Sequence, residues 1–447
     1  MFKINKNMCE GPLLGNIITY TIPIILTGIL QLLFNAADLV VVGRFCGSIS
    51  VAAVGATSSL TNLLTHLFMG LSVGSGVTLA HALGSRDDKA AHRVVHTAMP
   101  TAVICGLVLS LVGIFFSKKL LILMGTPEDV LVLSAVYMKI YFAGMMFNMV
   151  YNFGASILRA SGETKKPLLF LTIAGIVNVV LNIICVTIFD LNVAGVAIAT
   201  TTAQALSAIL VVISLMRRTD SIRFNFKNIM FHRKTLSKIL MIGVPSGVQG
   251  SLFSISNVII QSSINSFGPV VMSGNAAAAN IEGFAYMMMN AFQQTSLNFV
   301  GQNTGANKYK RVKKVLLICL ACVSVVGIVA GGFIYIFGRP LLSIYITDSE
   351  QAINYGMIRF IFMAVPYFLC GMMEVATGAL RGLGSSLTPM LISIIGVCGM
   401  RIAWIFTVFR RFHTQQMLYL SYPLSWLGTL SLLLVSFYMI YKNRINK

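Results

Sequence analysis

Residues 158–167 read LRASGETKKP and residues 380–389 read LRGLGSSLTP; Leu, Arg, Gly and Pro coincide at a constant offset of 222. Pro23 in YTIPII and Pro245 in MIGVPSG stand at the same spacing. LAHALGSRDDKAAHR pairs Gly84 with Gly305 of FVGQNTGANKYKRVKK, each ahead of a basic stretch. The plain alternative is that Gly and Pro recur by chance at helix ends. Several matches at one offset argue against it, so the chain reads as two tandem halves of like fold.

What lies between these motifs sets the class of fold. The 447 residues are 56% hydrophobic and only 10% charged, whereas soluble domains carry about 25% charged residues. About twelve apolar runs are long enough to cross a hydrocarbon core of roughly 30 Å. They centre near 14–43, 52–82, 94–116, 131–157, 167–189, 193–216, 239–267, 271–303, 314–337, 352–379, 388–409 and 414–441. The expected fold is an all-α membrane protein with about twelve transmembrane helices. An even number of spans in each half makes the halves parallel, two six-helix bundles related by a pseudo-two-fold axis along the membrane normal. The N-terminal lobe is expected at 1–216 and the C-terminal lobe at 239–447. Residues 217–238, charged and without an apolar run, read as the linker.

A formal net charge of +20 raises the question of a nucleic-acid partner. The basic residues are instead split among alternating short loops, 24 on one side of the membrane against six on the other. That asymmetry predicts both termini and the linker in the cytoplasm of a multi-pass inner-membrane protein, and no nucleic acid. The polar start, MFKINKNMCEGP, is not that of a removable signal peptide. Most of the eight cysteines lie in apolar spans, where a thiol behaves as a small hydrophobe. Cys319 and Cys322 have CxxC spacing but no second pair, so neither a metal site nor a disulfide framework is expected.

Charges within the apolar spans each invite an explanation, because they are costly at the bilayer centre. Asp38 lies fifteen residues after Pro23, which makes a kink in the first helix expected. A carboxylate on a kinked helix suits proton or sodium binding; the alternative is pairing with Arg44 or reaching the outer face. Glu282, beside Asn280, is followed by a methionine-rich stretch with Met287 and by polar residues from Asn290 and Gln293 through Asn303. These residues are candidates for the lining of a substrate cavity, with a purely structural carboxylate as the alternative. Methionine-rich surfaces are more often core or lipid-facing, although their pliability suits promiscuous recognition. Glu374 is expected to pair with Arg401 as a structural intramembrane ion pair. Asn178 and Asn182, at i and i+4, share one helix face, and Thr200, Thr201 and Thr202 follow in the next span.

The sequence resembles the multidrug and toxic compound extrusion (MATE) family of bacterial type, over roughly residues 12–440. The resemblance rests on IPIILTGILQLLFNAADLVVVGRF with Asp38, LRASGETKKP, NVVLNIICVTIFDLNVAGVAIAT and LRGLGSSLTPM. It implies a cation-coupled antiporter in the inner membrane, exporting cationic or amphipathic compounds by alternating access, without a cofactor beyond the transported proton or sodium ion. Asp38 matches the acidic residue of the family's first helix, Asn178 an asparagine of its N-lobe cation site, and Thr201 or Thr202 its threonine. Asn182 stands where many relatives carry Asp, which removes one negative charge. The residues near Phe253 are apolar where some relatives carry an acid. A working monomer is expected. The rival within the wider superfamily is a flippase of lipid-linked precursors, which is expected to line its cavity with more Arg and Lys. No enzyme motif such as HExxH occurs in the apolar spans.

Overall fold

The computed structural model describes residues 8–347 and 349–445. Lys3, Lys6 and Lys447, three of the basic residues counted above, lie outside the described residues. The first half folds as α1 (Leu13–Phe45), α2 (Ser48–Gly84), α3 (Asp88–Leu123), α4 (Glu128–Ala143), α5 (Met145–Ala160), α6 (Lys165–Thr187) and α7 (Asn192–Met216). The second folds as α8 (Arg233–Asn265), α9 (Pro269–Gly305), α10 (Tyr309–Ile336), α11 (Gly338–Ser343), α12 (Glu350–Phe362), α13 (Tyr367–Gly382), α14 (Leu387–Ser393), α15 (Met400–Trp404) and α16 (Gln415–Ile445). π-Helical turns at Ile394–Gly399 and Ile405–Phe409 flank α15.

Local chemistry sets several of the helix ends. The Asp87 side chain accepts from the Ala90 N–H and caps α3, and Ser349 does the same for α12 through Ala352. Glu128 and Asp129 fill the first turn of α4, complementing the helix dipole. Pro23 lies within a continuous α1 and leaves the Thr19 carbonyl without its usual donor, while the Thr27 hydroxyl donates to the Pro23 carbonyl.

All twelve expected apolar runs fall on helix. Among the described residues nine helices are long and apolar enough to span a membrane. Two bent pairs, α4–α5 at 47° and α12–α13 at 48°, raise the number to eleven. The remaining run lies in α9, which is 37 residues long but carries Asn275, Asn280, Glu282, Asn290 and Gln293 along it. Its polar face, not a break in the helix, keeps it out of that set. Large apolar side chains stay exposed along α3, α10 and α16, Phe115, Val329 and Val435 among them. Surfaces of that kind are disfavoured in water and suited to lipid.

The backbone repeats as the motifs do. Gly162 and Gly384 sit at φ 87° and 88°, Gly47 and Gly268 at 84° and 91°, and Arg86 and Asn307 at 57° and 56°. The glycine of each LR…G…P motif therefore makes a left-handed turn that a Cβ would strain. In the first motif Glu163 adds an ion pair to Arg218 at 2.8 Å and one to Lys166 at 3.1 Å.

Contacts gather the chain into two compact units whose boundaries are not those of the expected lobes. One comprises residues 1–28 and 252–447, the other 29–251. The start of α1 thus belongs with the second sequence half and the start of α8 with the first. The reason for the latter is close packing. Gly70 and Gly74 on α2 meet Gly243 and Gly247 on α8 so tightly that a Cβ on either Gly70 or Gly74 would strike α8 backbone. The linker segment is likewise packed into the 29–251 unit rather than running free. Ile222 and Phe224 are buried in its core, the Thr97 hydroxyl donates to the Met230 carbonyl, and the Asn225 N–H donates to His96 Nε2. Burial works against the Arg218 charge, yet bonds and charges from Asp220 and Glu163 outweigh it and hold its pKa above the ordinary arginine value.

Candidate functional site

In the 29–251 unit, α1, α6 and α7 bring four polar side chains together. Asn178 and Asn182, one turn apart on α6, are both buried. Asn182 Nδ2 donates to Asp38 Oδ1 at 2.5 Å and to Asn178 Oδ1 at 3.3 Å. Thr200 Oγ1 donates to Asp38 Oδ2 at 3.4 Å and accepts from Asn178 Nδ2 at 3.3 Å. Asn182 Oδ1 is buried without a hydrogen-bond partner among the described residues. The Phe34 ring of α1 packs onto Gly175 of α6 and fills the space a Cβ there would need. On α4, Tyr137 and Tyr141 stack with centroids 6.0 Å apart, and both feel the Asp38 charge.

Asp38, Asn178 and Asn182 are therefore joined as the sequence suggested, and Thr200 joins them in place of the two threonines expected there. Thr201 Oγ1 donates to the Ile140 carbonyl at 3.2 Å, and its side chain packs against Gly144 at the α4–α5 bend. Thr202 Oγ1 donates to the Ile198 carbonyl of its own helix. Successive residues on a helix differ by about 100° in direction, so only one of three adjacent threonines can face Asp38. Arg44 is exposed, and among the described residues no ion pair joins it to Asp38. The carboxylate thus has amide and hydroxyl partners but no counter-charge in contact among the described residues. Its neighbours offer oxygen ligands, a donor set that suits a hard cation or a proton.

The unit of residues 1–28 and 252–447 overturns two expectations. Glu282 is not a free cavity carboxylate: Arg359 Nη2 donates to its Oε2 at 2.7 Å, with Arg359 Nε at 3.1 Å from the same oxygen. Arg359 Nη1 donates to Asn275 Oδ1 at 2.5 Å, and the Tyr419 hydroxyl donates to that oxygen at 3.1 Å. All four are buried, as such a charge pair requires. Arg359 went unread in the sequence because it is 77 residues from its partner. Glu374 and Arg401, in turn, form no ion pair among the described residues. Glu374 accepts from Gln293 Nε2 and feels the charge of Arg381. Arg401 Nε donates to Ser425 Oγ at 2.9 Å, with the guanidinium 4.0 Å above the Tyr422 ring.

The other cavity candidates divide. Asn280 is exposed. Met287 packs against Gly28 of α1. Gln293 belongs to a run of amides, accepting from Asn290 Nδ2 at 3.4 Å, while Gln294 Nε2 donates to Asn290 Oδ1 at 2.9 Å. This polar run on α9 ends on Glu374. The eight cysteines are free, and no metal-binding group of His, Cys, Asp and Glu occurs among the described residues.

The tandem repeat of the sequence recurs in comparison with known proteins. The MatE family matches twice, over residues 23–184 and 245–407, with starts separated by the same 222 residues. The chain belongs to the MATE family. A probable multidrug resistance protein, YoeA of Bacillus subtilis, is 26% identical to it over 86% of this chain and 84% of that protein. The multidrug export protein MepA of Staphylococcus aureus is 21% identical over 83% of this chain and 84% of its own length. A crystal structure of a MATE protein in complex with MaL6 is 18% identical, covers 100% of both chains and has a TM-score of 0.92, which establishes the MATE fold. As in other MATE transporters, the helices form a multi-pass membrane protein.

Proposed function

We propose that this MATE protein exports cationic and amphipathic compounds across the cytoplasmic membrane by alternating access of its lobes, driven by entry of a proton or sodium ion at Asp38. The observation that carries this reading is the Asp38 carboxylate, held by Asn182 and Thr200 without a counter-charge in contact. The names of YoeA and MepA support drug efflux as the activity. The cation takes the place of the missing counter-charge, with the unpartnered Asn182 oxygen as a further ligand. The excess of basic residues on alternate loops supports a cytoplasmic side for both termini and residues 217–238, with the monomer as the working unit. The lipid-linked precursor reading needs several free guanidinium groups facing the substrate. The buried Arg359 is instead paired with Glu282 at 2.7 Å.

Inverted membrane vesicles supplied with ethidium test the proposal, with proton and sodium gradients imposed separately. Ethidium accumulation energised by one of the gradients, and lost in Asp38→Asn, is the expected result. Movement indifferent to both gradients and to Asp38→Asn overturns coupled export.

A further inference from the structure

The segment between α7 and α8 is folded, and its outer surface is unlike that of an ordinary loop. Ile222 and Phe224 turn inward to the core of the 29–251 unit, while Arg223 between them is exposed. The Asn225 side chain accepts from the Lys227 N–H at 3.0 Å and starts a short 3-10 turn, Phe226–Asn228. In this turn and just after it, Phe226, Ile229, Met230 and Phe231 are all exposed. The Phe226 ring stands edge-on to the buried Phe224 ring at 5.0 Å, so the core sets its position.

Two hydrogen bonds fix the depth of this surface. Thr97 Oγ1 donates to the Met230 carbonyl at 3.2 Å and accepts from the His232 N–H at 3.3 Å. Thr97 stands in the first turn of the apolar run of α3, which begins at Val94. Met230 therefore lies level with the edge of the hydrocarbon core. The two ends of the segment meet the same boundary, for α7 ends at Met216 and α8 begins at Arg233.

Basic side chains surround the apolar ones. Arg223, Lys227, Arg233 and Lys234 are exposed and take part in no ion pair among the described residues. The one carboxylate in residues 217–238, Asp220, is ion-paired with Arg218 at 2.6 Å. Four neighbouring large apolar side chains are disfavoured in water. Set among cations at the edge of a span, they match an anionic bilayer, apolar groups at the acyl level and cationic groups at the phosphates. We propose that residues 223–234 form a binding surface for anionic phospholipid headgroups. Phe226, Ile229, Met230 and Phe231 sit at the acyl boundary, and Arg223, Lys227, Arg233 and Lys234 hold the phosphates. The bound lipids anchor the ends of α3, α7 and α8 at one depth. Such binding does not depend on which compound is exported or which ion drives export.

Native mass spectrometry of the purified full chain in detergent, titrated with phosphatidylglycerol or phosphatidylcholine, tests the surface. Phosphatidylglycerol is expected to bind about tenfold more tightly. Arg233→Gln together with Lys234→Gln should bring the two lipids to within about twofold of each other. Phe226→Ser together with Met230→Ser should weaken both lipids and leave the preference standing. All four positions are exposed, so the fold does not depend on them. Glycerol phosphate, the headgroup anion without acyl chains, should bind the parent chain about tenfold more weakly than phosphatidylglycerol. Equal affinity of the parent chain for the two lipids overturns the proposal, as does an undiminished preference in the Arg233, Lys234 variant. Glycerol phosphate binding as tightly as the lipid also overturns it, by showing a soluble-phosphate site. Trypsin supplies a second measurement on the parent chain in vesicles, read on molecules whose segment faces outward. Cleavage after Lys227, Arg233 and Lys234 should be about fivefold slower in phosphatidylglycerol than in phosphatidylcholine. Equal cleavage in both leaves the face open to water and free for a protein partner, and overturns lipid docking.

Discussion

Asn182 donates its side-chain amide N–H to Asp38 at 2.5 Å, while its own Oδ1 is buried and has no partner among the described residues. The pair joins an acid of α1 to the C-terminal part of α6 across 144 positions of sequence. Introducing a second carboxylate by Asn182→Asp sets two negative charges against each other, a state tolerable only with a cation or shared proton between them. Sodium should therefore raise the melting temperature of Asn182→Asp more than that of the parent, measured in detergent at fixed ionic strength. Equal shifts would count against a cation position at this pair.

Thr200 and Thr202 are two residues apart and point to different partners. Thr200→Val should lower gradient-driven export by about fivefold, roughly 1 kcal/mol, through its lost bonds to Asp38 and Asn178. Thr202→Val should leave export unchanged, since its hydroxyl serves only its own helix. Vesicle transport rates for the two variants check the distinction.

The Glu282–Arg359 pair is expected to govern folding. Removing one partner, as in Glu282→Gln or Arg359→Met, should destabilise the protein by about 3–5 kcal/mol, whereas exchanging both for apolar residues costs less. Folded yield by size-exclusion chromatography of the single and double variants is the measurement. Additive losses would show that the charges do not depend on one another.

Glu374 and Arg401 provide the opposite case. A double-mutant cycle between them should give a coupling energy near zero, within about 0.5 kcal/mol, because they share no contact. The cycle between Glu374 and Gln293, which are hydrogen-bonded, should exceed that. Thermal unfolding of the five variants, three single and two double, decides between these pairings.

Gly162→Ala and Gly384→Ala each place a Cβ on a left-handed turn, at φ 87° and 88°. Each should lower stability by about 1–2 kcal/mol. Comparable losses at the two sites, read by melting temperature, would tie both motifs to one turn geometry.

The sequence by itself determined the helices, their solvent and the tandem repeat. These depend on composition and on local rules: run length against bilayer thickness, Gly where φ is positive, Pro within long apolar helices. Asp38, Asn178 and Asn182 were legible for the same reason, as an isolated charge and an i, i+4 pair in apolar surroundings. Tertiary structure alone decided which partners the polar side chains take. One residue's step of about 100° around a helix separates Thr200, facing Asp38, from Thr201, facing the α4–α5 bend. Arg359 meets Glu282 across 77 residues, and Arg401 meets Tyr422 instead of Glu374. Partner choice depends on the rotation and packing of distant helices. Gly70 and Gly74 against Gly243 and Gly247 likewise draw the start of α8 into the unit of the first half, a contact that no local pattern specifies.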